Sequence, residues 1–286
     1  MNLPGNISIT EVGPRDGLQN ESAIVPVDSK VAFIDRLSDS GVREIEATAC
    51  VSPKWVPQLA DASEVLQLIT RRPGVSYSAL VPNIEGWQRA SDSGIDKVAV
   101  FTAASETFSR KNTNASIAET LARFEPVVRA AHDSQCPVRA YVSCVVVCPY
   151  EGRIAPGQVR SVVDALLEIG VDEIDLGDTI GKAVPEDMDA LIEAIDGCVP
   201  LEELVLHLHD TSGSALPCCL RAMELGIRRF DASCGGLGGC PYAPGASGNL
   251  STCELLELCE DRGIETGIDR AVMQAASLEI RNVLDR

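Results

Sequence analysis

Histidine is scarce in this 286-residue chain, which has only three. Long apolar runs are missing as well, and none approaches the roughly eighteen residues that a membrane-spanning helix needs. The chain enters Ile7-Ser-Ile-Thr10 without a charged-then-apolar leader, so neither a cleaved signal nor a membrane anchor is expected. Basic residues are in deficit: 24 Lys and Arg against 42 Asp and Glu leave a formal charge of −18. That balance excludes general nucleic-acid binding, because phosphate contacts need clustered cations, and it repels anionic membranes. An anionic small substrate stays compatible only if a metal or a few arginines create a local positive site. Paired CxxC motifs are also absent. The eleven cysteines are odd in number and scattered, which reads as reduced thiols in a cytoplasmic setting.

Two of the three histidines stand one residue apart, in Leu206-His-Leu-His-Asp-Thr-Ser-Gly213. The run before them is apolar and bounded by polar residues, as a strand is. Residues i and i+2 of a strand share a face, so His207 and His209 project together at its carboxyl end. Two imidazoles on one face beside Asp210 point to a metal site more than to packing.

Short β-rich runs at Ile7–Val12, Glu44–Thr48, Val75–Val81, Lys97–Thr102, Val138–Val146, Glu173–Leu176, Glu203–Leu208 and Arg229–Ala232 alternate with amphipathic stretches. The latter include Val27–Ser40, Ala118–His132, Gln158–Ile169, Pro185–Ile195 and Ser214–Leu225, with one further helix over Ala271–Arg286. Several end at a glycine just past the last apolar position (Gly41, Gly94, Gly170, Gly226), which predicts left-handed caps. Eight βα units without a linker predict one domain over residues 1–286, an α/β protein folded as a closed (β/α)8 TIM barrel with a C-terminal helix, rather than a doubly wound sheet. Chemistry is then expected at the carboxyl ends of the strands.

Polar residues collect at those ends. Arg15 and Asp16 follow Gly13-Pro14, Glu46 ends the second strand, Arg139 opens the fifth, the sixth ends Asp175-Leu-Gly-Asp178-Thr179, and Asn249 lies beyond the eighth. Arg15 and Asp16 alone read equally as a surface ion pair or a functional one. Asp16, His207, His209 and Asn249 offer two oxygens and two imidazole nitrogens, a set suited to Mg²⁺ or Mn²⁺ with positions left for substrate. The glycine-rich segment Cys234–Asn249 reads as a mobile lid, on which Cys240 is either a proton donor and acceptor or an incidental thiol.

EVGPRDGLQNE from Glu11, VSPKWVPQ from Val51, KNTNAS from Lys111, YVSC…CPYEG from Tyr141, LGDTIG from Leu176, LHLHDT from Leu206 and GLGGCPYAPGASGN from Gly236 together resemble the 3-hydroxy-3-methylglutaryl-CoA lyase family, within the metal-dependent lyase and aldolase barrels. The resemblance runs through nearly the whole chain in order. It implies retro-Claisen cleavage of an acyl-CoA thioester, with Asp16, His207, His209 and Asn249 as ligands of Mg²⁺ or Mn²⁺. It also implies Arg15 at the enolate oxygen, Cys240 as acid or base, and Glu46 and Asp178 completing the polar shell. The hydroxyl proton goes to Asp16, His207 or a nearby water. Gln19, Arg139 and Thr179 join Arg15 as expected substrate contacts, and a homo-oligomer, a dimer, is implied.

The chain departs from the family pattern at Ser22, Cys50, Val147, Ser212 and Cys253, which predicts an altered and roomier acyl pocket. Cys50 stands where relatives have an aromatic residue. The chain stops soon after its last helix with no peroxisomal tripeptide. Rival readings are a lyase for a longer 3-hydroxy-acyl-CoA, a 2-oxo-acid aldolase or synthase of the same superfamily, and a catalytically silent binding barrel.

Overall fold

The computed structural model describes residues 3–238 and 248–285. Its barrel begins with β1 (Ser8–Glu11), β2 (Glu44–Ala49), β3 (Ser76–Leu80), β4 (Lys97–Ala103) and β5 (Val138–Ser143). A small antiparallel hairpin, β6 (Val147–Cys148) and β7 (Gly152–Arg153), fills the loop after β5. The ring is completed by β8 (Glu173–Asp178), β9 (Leu204–Leu208) and β10 (Arg229–Ala232), with β10 returning to pair in parallel with β1. All eight expected strands are present. The fifth stops sooner than the apolar run suggests, because Cys144 adopts φ 60°, outside the extended region, and the chain turns into the hairpin.

The outer ring comprises α1 (Val27–Ser38), α2 (Ala62–Leu68), α3 (Ile84–Asp92), α4 (Glu106–Thr113), α5 (Ile117–Asp133), α6 (Pro156–Glu168), α7 (Pro185–Ile195), α8 (Ala215–Glu224), α9 (Thr252–Arg262) and α10 (Arg270–Val283). Local chemistry sets their starts: Ser116 and Glu119 form a reciprocal capping box on α5, and Asp269 accepts from Ala271 N and Val272 N to open α10. The four expected cap glycines have positive φ, from 70° at Gly94 to 102° at Gly226. Helices cover one face of the sheet and side chains fill the other, so every residue of β2 and β9 is buried.

The lumen is layered. Its amino-terminal floor is ionic: Lys97 Nζ reaches Glu44 at 2.8 Å and Glu173 at 2.9 Å, and Arg229 Nη2 reaches Glu173 at 2.9 Å. Arg139 adds contacts to Glu44 at 2.8 Å and Glu173 at 3.0 Å. Toward one wall a small apolar cluster of Ala49, Leu59, Leu80, Ala99 and Tyr141 fills the space, separate from the large core between strands and helices.

Candidate active site

Gly13–Gly17 forms one wide, π-type helical turn directly after β1, a device frequent at functional sites. It brings Arg15 and Asp16 over the barrel mouth. Arg15 is 6% exposed and pairs through Nε with Glu46 and through Nη1 with Asp16. Its guanidinium also lies 5.2 Å from the Tyr141 ring centroid. Glu46 is not at the strand end, as expected, but third in β2, where the pairing with β3 shifts register between Glu46 and Thr48. The strand runs on to Ala49, so Glu46 supports Arg15 from below. Burial raises the Glu46 carboxyl, with Arg15 acting against it.

The histidines project together at the end of β9. Their Nε2 atoms are 3.3 Å apart, and Asp16 Oδ2 lies 3.8 Å from His207 Nε2. Asn249 is held opposite by an isolated bridge to His209, and its Nδ2 donates to Asp16 Oδ2 at 2.8 Å and to Leu237 O at 3.1 Å. Gly238 makes that approach possible: its φ is +95°, and a Cβ there would meet Asn249 Nδ2 at 2.5 Å. Asp16, His207 and His209 offer ligand atoms that all lie within 4.8 Å of one another. Two buried atoms beside them, Asn249 Oδ1 and His209 Nδ1, have no hydrogen-bond partner among the described residues. An oxygen orphaned beside a carboxylate and two facing imidazole nitrogens is the donor set a divalent cation takes, and the residues fit one.

Below this layer, His207 Nδ1 donates to Asp231 Oδ2 at 3.1 Å, an arrangement that fixes the imidazole and leaves Nε2 for the mouth. Tyr141 Oη lies 3.2 Å from Asp231 Oδ2 and 3.1 Å from Glu46 Oε2. Burial opposes charge throughout, and neighbours decide the outcome. At Asp16 the positive charge of Arg15 and the histidines outweighs burial and holds the carboxyl well below its usual range. At His207 the hydrogen bond it donates to Asp231 and the charge of Asp16 outweigh burial and lift the imidazole to about 9. Burial and the neighbouring His207 push His209 down to about 4.

Other expected positions fall outside this cluster. Arg139 is corrected from substrate contact to floor: it opens β5 at the amino-terminal end, is 1% exposed, and spends its guanidinium on Glu44, Glu173, Asp231 and Thr10. Asp178 ends β8 as expected, but its Oδ2 accepts from Ala183 N at 2.8 Å and so fixes its own loop. Thr179 Oγ1 accepts from Cys144 N at 2.8 Å. Gln19 is half-buried in a groove between the loops after β1 and β2 and helix α4, lined also by Ser22, Trp55 and Asn112. Cys240 and most of the glycine-rich segment lie outside the described residues. Tyr141, Asp175 and Asp231 were not anticipated as site residues from sequence. Their signal was present, since Arg139/Tyr141, Glu173/Asp175 and Arg229/Asp231 repeat the i, i+2 spacing of the two histidines.

An HMGL-like family model matches residues 6–279. A relative from Danio rerio, a cytoplasmic 3-hydroxy-3-methylglutaryl-CoA lyase, is 51% identical over 99% of this chain and 85% of its own. A mitochondrial hydroxymethylglutaryl-CoA lyase from Gallus gallus is 48% identical over 99% of this chain and 95% of its own. Among solved structures, an HMG-CoA lyase from Acinetobacter baumannii in complex with coenzyme A and 3-methylmalate is 38% identical, with a TM-score of 0.94 over 99% of this chain and 92% of that one. Barrel, strand-end cluster and full-length similarity agree, and the chain belongs to the HMGL-like family of 3-hydroxy-3-methylglutaryl-CoA lyases.

Proposed function

We propose that the protein is a divalent-metal-dependent carbon–carbon lyase that cleaves 3-hydroxy-3-methylglutaryl-CoA to acetyl-CoA and acetoacetate. The observation that carries this reading is the convergence of Asp16, His207, His209 and the orphaned Asn249 Oδ1 at the mouth, with Arg15 beside them. Mg²⁺ or Mn²⁺ would be held by these four residues and would supply Lewis-acid charge for substrate oxygens. Arg15 does the electrostatic work on the departing acetyl thioester. Glu46 and Asp16 fix its Nε and Nη1, which leaves Nη2 as the donor for an enolate oxygen. Tyr141 closes the face beneath it. The hydroxyl proton must pass to a neighbouring base; His207, whose Nδ1 donates to Asp231 and whose Nε2 would hold the metal, has no nitrogen left to accept it, which leaves Asp16 or a nearby water. Gln19 and Thr179 flank the mouth as substrate contacts, Asp178 holds the loop after β8, and Cys240 is read as the thiol acid or base from its motif.

The resemblance supports a homodimer, and free thiols at the ten described cysteines accord with a cytoplasmic setting. The relative solved with coenzyme A supports an acyl-CoA as the substrate class. The test is thioester cleavage by the purified protein after thorough chelation. Activity is expected to vanish and to return with Mg²⁺ or Mn²⁺, and undiminished turnover in the metal-free protein would overturn the reading.

A further inference from the structure

Glu11, the last residue of β1, is a wholly buried carboxylate that hydrogen-bonds none of the four ligand candidates. Its Oε1 accepts from Gly13 N at 2.8 Å and Cys234 N at 2.7 Å, and its Oε2 accepts from Thr252 Oγ1 at 2.7 Å. Each donor belongs to a different piece of the site. Gly13 opens the turn that carries Arg15 and Asp16. Cys234 begins the segment whose Leu237 and Gly238 carbonyls accept from Asn249 Nδ2 and N. Thr252 opens α9, three residues beyond Asn249. The fit is tight, since a Cβ at Gly13 would lie 2.7 Å from Glu11 Oε1.

We propose that Glu11 is a positioning residue for the metal site, its side chain tying the Asp16 turn to both segments that hold Asn249. The inference rests on the metal-site reading above. Losing the carboxylate strands two buried backbone N–H groups and frees the two oxygen ligands to move relative to each other. Burial pushes the Glu11 carboxyl up to about 7 against the pull of its donors. A neutral amide of the same shape is therefore a modest change, because its oxygen still accepts both N–H groups and the Thr252 hydroxyl can turn to accept.

The test is Mn²⁺ binding by calorimetry to the metal-free full chain, alongside thermal melts. Glu11→Ala is expected to weaken Mn²⁺ binding by roughly tenfold or more, the scale typical of outer-shell partners. Glu11→Gln should stay within about threefold of native, since it keeps the acceptor of both N–H groups. Leu166→Ala, a cavity on the far side of the strand–helix core, should lower Tm without changing Mn²⁺ affinity. Should Glu11→Ala not fold, Thr252→Val, which removes one donor, carries the test with an expected weakening of a few-fold. Native affinity in a folded Glu11→Ala or in Thr252→Val would overturn the proposal, as would equal weakening in Leu166→Ala, which would reduce the effect to stability. Failure of the native protein to bind Mn²⁺ would instead overturn the metal-site reading, and this inference with it.

Discussion

Arg15 is a buried cation between two carboxylates, one of which is a candidate metal ligand. Arg15→Gln is expected to lower kcat by on the order of a hundredfold or more, the cost of one lost charge stabiliser. Removing the cation also frees Asp16 from a competitor, so Mn²⁺ affinity should be at least native. Near-normal kcat, or markedly weaker metal binding, would show that Arg15 organises the site instead of acting in it. Most mouth residues were legible because strand spacing and one short turn place them. His207 and His209 follow from the two-residue period, and Asp16 from its position just after β1. Arg139 was misread for want of polarity: a residue opening a barrel strand lies at the floor, where cations meet Glu44 and Glu173. Glu11 was invisible as a site residue because two of its three partners lie 223 and 241 positions away.

At the scale of the element, β2 shows what alternation decides. Ala49 joins the small lumen cluster, and the next residue, Cys50, therefore turns outward into the strand–helix core, 1% exposed. The expectation that Cys50 enlarges the acyl pocket is corrected by that period. Cys50→Phe should overpack the outer core and cost about 1–3 kcal/mol, while kcat/KM for 3-hydroxy-3-methylglutaryl-CoA relative to a longer-chain analogue stays native. A changed ratio between the two substrates would place Cys50 back at the pocket. The eight strands themselves were legible because both faces are buried and the βα repeat is regular. The β6–β7 hairpin was not, because it depends on a positive φ at Cys144 that no side-chain pattern announces.

For the whole molecule, the ionic floor predicts acid sensitivity. Burial raises the Glu173 carboxyl, but Arg139, Lys97 and Arg229 outweigh it and bring it down to about 2 from its ordinary 4.5. A depressed folded pKa contributes stability that is fully present above about 4.5 and is lost as pH falls toward 2. The shift corresponds to about 3 kcal/mol. Urea midpoints measured at pH 5 and pH 3 should therefore fall less between the two pH values in Glu173→Gln than in the native protein. Equal slopes would show that the floor carries no such linkage.

Because β1 and β10 seal the ring, Asp16 and Asn249, 233 positions apart, meet only once the last strand has docked. No amino-terminal fragment that stops short of Asn249 holds all four ligand candidates, and contacts of such long range belong to slow-folding topologies. A cation bound there would select the closed ring over every partly folded form, coupling cofactor supply to the lifetime of the folded chain.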